Sequence, residues 1–196
     1  NNFKSLIKAN TKAIVCMHAS NVFGCVFPIK EIGKLAHDNG IIFIVDAAQS
    51  AGVLDIDADR DNIDILCTPG HKGLYAPMGS GFIAVGDGIT LDTIIEGGTG
   101  SMSMILSQPK DLPDRLESGT LNNVAICGLA AGIDFVNSKK IDNIYNHEKS
   151  LMNMVYKEMS KNENVTLYTP DFKDAFSAPI LSFNFKDYPS EKTASL

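Results

Sequence analysis

The sequence predicts an α/β fold: a mostly parallel sheet flanked by helices, followed by the beginning of a small α+β unit. Three observations predict it. Residues 13–17 and 41–45 are continuous apolar runs, the pattern of strands buried in a parallel sheet. Between them, residues 28–37 place apolar side chains at helical spacing. Strand, helix and strand within about thirty residues make a βαβ unit, whose crossover is right-handed.

The remaining elements follow in order. Residues 3–9 suggest a short opening helix. The helix at 28–37 has Pro28 at its start and Ile29, Ile32, Leu35 and Ala36 on one face; Asn39-Gly40 stops it. The strand at 41–45 is apolar throughout, as expected for a sheet covered on both faces. Residues 63–67 and 81–85 are a third and a fourth strand. Polar residues 118–123 lead into a helix over 124–136. A longer helix spans 141–161, with Ile144, Leu151, Met154, Val155 and Met159 at helical spacing. Residues 165–168 and 180–185 are strands again. Pro189 and Ser190 then open another helix, which Leu196 cuts short. The chain also starts on Asn1 rather than Met, so an internal fragment of a longer polypeptide is expected. No internal repeat or low-complexity segment is visible.

Composition removes several classes. Hydrophobic residues make up 44% and charged residues 20%, as in an ordinary globular protein. The net charge of -6 and the absence of a basic stripe give no reason to expect nucleic acid as a partner. The longest apolar run is too short to span a bilayer, and no signal-peptide pattern opens the chain. The four cysteines, Cys16, Cys25, Cys67 and Cys127, form no CxxC pair. They read as reduced, mostly buried thiols of a cytoplasmic protein, and no paired spacing suggests zinc.

In open α/β sheets, ligands sit outside the carboxyl ends of the strands. Three segments fall there: His18-Ala19-Ser20-Asn21, Asp46-Ala47-Ala48-Gln49 and Thr68-Pro69-Gly70-His71-Lys72. Asp46 either caps the turn after its strand or holds a cationic partner. Lys72 is either a solvated charge or a reactive amine held on a rigid turn by Gly70 and Gly73. His71 is an ordinary loop histidine, or a donor to a phosphate. Asn21 and Gln49 alone indicate only turn and surface. Gly97-Gly98-Thr99-Gly100-Ser101 is a flexible loop or an anion-binding one, and it lacks the nucleotide P-loop pattern. Glu117-Ser118-Gly119-Thr120 precedes a helix and can act as its cap. An acid at a strand end together with a turn lysine is what a pyridoxal phosphate enzyme requires of its protein.

At these residues the chain resembles the class V aminotransferase family of fold-type I pyridoxal phosphate enzymes, above all its cysteine desulfurases and selenocysteine lyases. The matching runs are His18-Ala19-Ser20-Asn21-Val22-Phe23-Gly24 followed by Pro28-Ile29, Val45-Asp46-Ala47-Ala48-Gln49, Gly70-His71-Lys72-Gly73-Leu74 with Pro77 and Gly79, and Glu117-Ser118-Gly119-Thr120. Their order and spacing agree over residues 1–136. The resemblance implies a fold-type I large domain, with residues 1–150 forming part of it. Residues 151–196 would then hold the connecting helix and the start of the small C-terminal domain. It implies pyridoxal 5'-phosphate as cofactor, with Lys72 as the Schiff-base residue and Asp46 paired with the ring nitrogen. Gln49 would lie near the phenolic oxygen, Asn21 near the cofactor or substrate, and His71 at the phosphate. Gly98 and Thr99 would face a phosphate, across the interface of a homodimer. A small amino acid is the implied substrate, and a sulfur acceptor protein is an implied partner.

The chain departs from the family pattern where many relatives place a serine two residues before the histidine of the lysine turn. Pro69 fills that position, with Thr68 as the candidate replacement. The family's ring-stacking histidine and its glycine-threonine phosphate loop belong before Asn1. Its carboxylate-binding arginine and desulfurase nucleophile belong after Leu196. None of the four cysteines here matches that nucleophile. The expected activity is conversion of L-cysteine to L-alanine plus enzyme-bound sulfur. The alternatives are a class V aminotransferase, and a fragment that is inactive as cut.

Overall fold

The computed structural model describes residues 2–100, 102, 104–171 and 176–195. Asn1, Ser101 and Leu196, named above, lie outside the described residues. Strands β1 (Ala13–Met17), β2 (Ile42–Asp46), β3 (Ile65–Pro69) and β4 (Gly81–Val85) form one sheet in that order. The first three are mutually parallel and β4 is antiparallel to β3. Helix α1 (Asn2–Leu6) precedes β1, and it is shorter than expected because Lys8 and Thr11 close a turn. Helix α2 (Ile29–Asp38) makes the crossover from β1 to β2.

The apolar pattern of α2 explains the core. Its Ile29, Ile32 and Ala36 pack on Phe43 and Val45 of β2, with Ile41 and Ile63 closing the cluster. Phe43 and Val45 are fully buried, and each contributes roughly 1.5–3 kcal/mol relative to exposure. Strand alternation places Ile14, Cys16, Phe43 and Val45 on this covered face. Val15, Met17, Ile42, Ile44 and Asp46 lie on the other. That second face is not covered as the sequence suggested: Val15 is 69% exposed and Met17 45%. Among the described residues, no helix packs over β1 on that side.

Strand β3 begins two residues later than the apolar pattern implied. Asp64 is the reason, because its carboxylate accepts from Phe43 N at 2.7 Å and fixes the approach to the strand. Helix α3 (Asn123–Lys139) starts on Asn122, whose side chain accepts from Ala125 N. Lys140, at φ +68°, separates it from α4 (Ile141–Met159), which runs continuously through residue 150. Strands β5 (Val165–Leu167) and β6 (Phe183–Phe185) form a separate antiparallel pair, and α5 (Ser190–Ala194) follows. The last strand is shorter than the expected 180–185. Ala178 N instead donates to Gly24 O at 2.8 Å, drawing the segment before β6 toward the turn after β1.

Candidate active site

The parallel strands end on one edge, and their turns carry the chemistry. Asp46 closes β2, and its Oδ1 accepts from Ala48 N at 2.8 Å. Among the described residues, its Oδ2 accepts no hydrogen bond. The carboxylate thus caps its turn and still presents one oxygen. The chain from Ala47 to Leu54 coils tightly: Ser50 and Ala51 donate to Ala47 O, and Val53 and Leu54 donate to Ser50 O.

Gly52 brings this coil against the lysine turn. It adopts φ +83°, and a Cβ there would lie 2.1 Å from Gly73 O. In return, a Cβ on Gly73 would lie 2.3 Å from Ala51 O. The two backbones touch in a way that side chains at these positions would prevent. Helix α3 closes the turn from another side, because a Cβ on Gly132 would lie 2.0 Å from Leu74 O. The lysine turn itself is hydrogen-bonded, with Tyr75 N donating to Lys72 O and Ala76 N to Gly70 O. Tyr75 holds φ +54°, a strained value for a non-glycine residue, and its ring meets Phe135 of α3 edge-on at 5.1 Å.

Gln49 and Lys72 line one cavity of about 230 Å³, together with Tyr75, Glu148 and the segment Ala178-Pro179-Ile180. Asp46 lines a neighbouring cavity of about 630 Å³ on the open sheet face, with Cys67, Ile83, Leu116 and Glu117. Ala48 forms part of the wall of both. Asn21 is exposed on the turn after β1, where Ser20 Oγ accepts from Val22 N and Phe23 N. His71 is exposed beside Lys72 and lines neither cavity.

Gly98 and Thr99 also line neither cavity. Their loop is tied instead to the Glu117–Gly119 segment: Gly119 N donates to Gly97 O, and Gln108 bridges Gly97 N to Glu117 O. Thr99 Oγ1 accepts from Met102 N at 3.2 Å. Thr68, the candidate replacement for the missing serine, is 6% exposed, and its hydroxyl donates to Pro69 O.

Titration is perturbed around the edge. Burial pushes the Cys67 thiol up, and the Asp46 carboxylate adds to this. Burial also raises Cys16. Both shifts oppose thiolate formation, so neither cysteine is set up as a nucleophile. Contrary to the expectation of mostly buried thiols, Cys25 and Cys127 are exposed, because one lies in a surface turn and the other on the outer side of α3. Burial raises the Glu148 carboxyl, against a smaller lowering by His147. Burial lowers His18, against a smaller raising by Asp61; the ring is 4% exposed and its Nδ1 has no partner.

Glu148 and Tyr75 were missed by sequence reasoning. Glu148 had a usable signal: it lies one turn after buried Ile144, on the apolar stripe of α4, where a carboxylate is out of place. Ala178-Pro179-Ile180 had none, since only long-range folding brings it to Lys72.

A primary amine, a carboxylate with one unbonded oxygen, two amides and an imidazole thus lie in the turns at one end of the parallel strands. The whole of residues 1–196 matches the aminotransferase class-V family model. The chain belongs to the class-V aminotransferase family. Among curated members of the family, it is 31% identical over 195 residues to a protein of Methanothermobacter thermautotrophicus named probable cysteine desulfurase, covering 97% of this chain and 48% of that one. It is 34% identical over 185 residues to a cysteine desulfurase of Enterobacter sp. (strain 638), covering 92% of this chain and 44% of that one. The solved apo structure of a cysteine desulfurase from Thermococcus onnurineus NA1 superposes with a TM-score of 0.82 at 30% identity, covering 94% of this chain and 46% of that one. The fold is therefore that of the family, and the chain spans about half the length of the curated relatives it matches.

Proposed function

We propose that the protein carrying this chain is a pyridoxal 5'-phosphate-dependent cysteine desulfurase, converting L-cysteine to L-alanine and leaving the sulfur on an enzyme cysteine as a persulfide. The observation that carries this reading is the backbone contact of Gly52 with Gly73, which holds the Asp46–Gln49 turn against the Lys72 turn. The residues fit the cofactor, because Asp46 presents a free carboxylate oxygen and Lys72 an exposed amine on adjoining turns. When bound, pyridoxal phosphate supplies an electrophilic aldehyde and an electron-withdrawing ring.

The chain's own residues then divide the work. Asp46 keeps a proton on the ring nitrogen by charge pairing. Lys72 holds the aldehyde and, once displaced by substrate, moves the proton at the substrate Cα. Gln49 and Asn21 orient the cofactor and substrate with their amides, and His71 donates to the phosphate. In the overall reaction the C–S bond of L-cysteine breaks, its sulfur bonds to an enzyme thiol, and a proton is returned to the carbon that becomes the alanine methyl. Residues 1–150 serve as part of the cofactor domain, and 151–196 as the connecting helix and the start of the small domain. A homodimer places Gly98 and Thr99 at the partner's phosphate. The exposed Ile94, Ile95 and Met104 near that loop support such an interface. A sulfur acceptor protein removes the product.

Assay of the intact protein with L-cysteine tests the reaction. With a dithiol present to reduce the persulfide, sulfide and alanine in equal amounts are expected, whereas an oxo acid would indicate the aminotransferase of the same family. Borohydride reduction followed by peptide mapping tests the site. The adduct is expected on Lys72 and absent in Lys72→Ala; an adduct on another lysine overturns the assignment.

A further inference from the structure

The turn that presents Asn21 is not free-standing. Ser20 N donates to Cys25 O at 2.9 Å and Gly24 N to Ser20 O at 3.1 Å, closing a small loop. A distant segment then grips that loop through its backbone. Ala178 N donates to Gly24 O at 2.8 Å, and Cys25 and Ser177 form an antiparallel bridge. Ser182 Oγ donates to Val22 O. Tyr145 of α4 donates its hydroxyl to Ser177 O at 3.2 Å, fastening the same segment from behind.

The contact is close, and its centre is buried. Ser177 is 1% exposed and Ala178 is fully buried. Gly24 adopts φ +67°, and a Cβ there would lie 2.8 Å from Ala178 O and 3.2 Å from Ile180 O. Both its conformation and the neighbouring carbonyls exclude a side chain. The segment also has a second role, because Ala178, Pro179 and Ile180 wall the cavity that Lys72 and Gln49 open into. One stretch of chain therefore fixes the Asn21 turn and bounds the lysine cavity.

We infer that residues 177–182 act as a strap that positions Asn21 relative to Lys72, so that the C-terminal part of the chain sets how tightly the amino-acid substrate is held. The inference rests on the reading of Asn21 as a cofactor or substrate contact. Gly24 and Tyr145 are positioning residues in this scheme: neither touches substrate, and each acts through the strap.

The test uses the intact holoenzyme with four variants: Gly24→Ala, Tyr145→Phe, Asn21→Ala and the Asn21→Ala/Gly24→Ala double variant. Hydrogen exchange of residues 20–25 and 177–182 is measured beside KM and kcat for L-cysteine. Gly24→Ala is expected to speed exchange in both segments and to raise KM roughly tenfold, with kcat changed less. Tyr145→Phe moves both readouts in the same direction by a smaller factor, and it carries the test should Gly24→Ala fail to fold. The double variant is expected to be no worse than Asn21→Ala alone, because the strap acts through that residue. Full additivity in the double variant overturns the strap while leaving the role of Asn21 intact. An unchanged KM despite faster exchange does the same. A normal KM in Asn21→Ala removes both the reading of Asn21 and the strap's purpose.

Discussion

The Asp46 carboxylate uses one of its two oxygens within the fold. Its Oδ1 takes the Ala48 N–H and so shapes the turn, while among the described residues Oδ2 accepts no hydrogen bond. Sequence reasoning left a cap and a charge partner as alternatives, and the geometry accommodates both at once. The substitution Asp46→Asn separates them. An amide oxygen still accepts from Ala48 N, so the turn and the melting temperature should be kept. The negative charge is lost, and with it the hold on a ring-nitrogen proton. Turnover of L-cysteine by the intact enzyme should fall by roughly 100-fold or more, with part of the cofactor still bound. A spectral titration and a steady-state assay on the same preparation check this; full activity would remove the assignment. The placement of Asp46 and Lys72 on adjoining turns was legible in the sequence because its signals are local: an acid ending an apolar run, and a lysine between turn glycines. Glu148 was legible only as a polar break in the stripe of α4.

At the scale of elements, the site depends on glycines that the sequence presents as mere helix irregularities. Helix α3 contains Gly128 and Gly132, and each costs about 1 kcal/mol against alanine in a helix interior. The structure supplies the reason. Gly128 faces the Pro77 ring, and Gly132 faces the Leu74 carbonyl, so α3 lies directly on the turn that follows Lys72. Propensity alone makes Gly132→Ala a stabilising change. The close approach predicts the opposite sign, because a Cβ 2.0 Å from Leu74 O must push the turn and the helix apart. Overpacking of this kind costs typically 1–3 kcal/mol. Urea unfolding of the intact protein should show that loss, and borohydride trapping on Lys72 should slow with it. A gain in stability would mean that the contact yields easily. The element pattern was largely readable, since β1, α2, β2, β4, α3 and α4 follow from apolar periodicity. The late start of β3 was not, because it depends on the Asp64 carboxylate reaching Phe43 N across the sheet.

The whole molecule has one finished face and one open one. Helix α2 covers Phe43 and Val45, whereas Val15, Met17, Ile42 and Ile83 meet solvent on the other side of the sheet. Exposed apolar surface of this kind marks an interface rather than a terminal surface. The cavity that Asp46 lines opens on the same side, so whatever covers the face also closes that cavity. The 196 residues match only 48% of one curated relative and 44% of another. The chain expressed by itself should therefore self-associate through the open face, bind pyridoxal phosphate weakly and release no sulfide from L-cysteine. Colour alone does not decide the matter, because a free aldehyde condenses with any exposed lysine. The deciding measurement is a titration followed by reduction, peptide mapping and sizing of the particle. Scattered, substoichiometric labelling on an associated species is expected. A monomer labelled stoichiometrically at Lys72 and releasing sulfide would show that the open face is not required for the site to close.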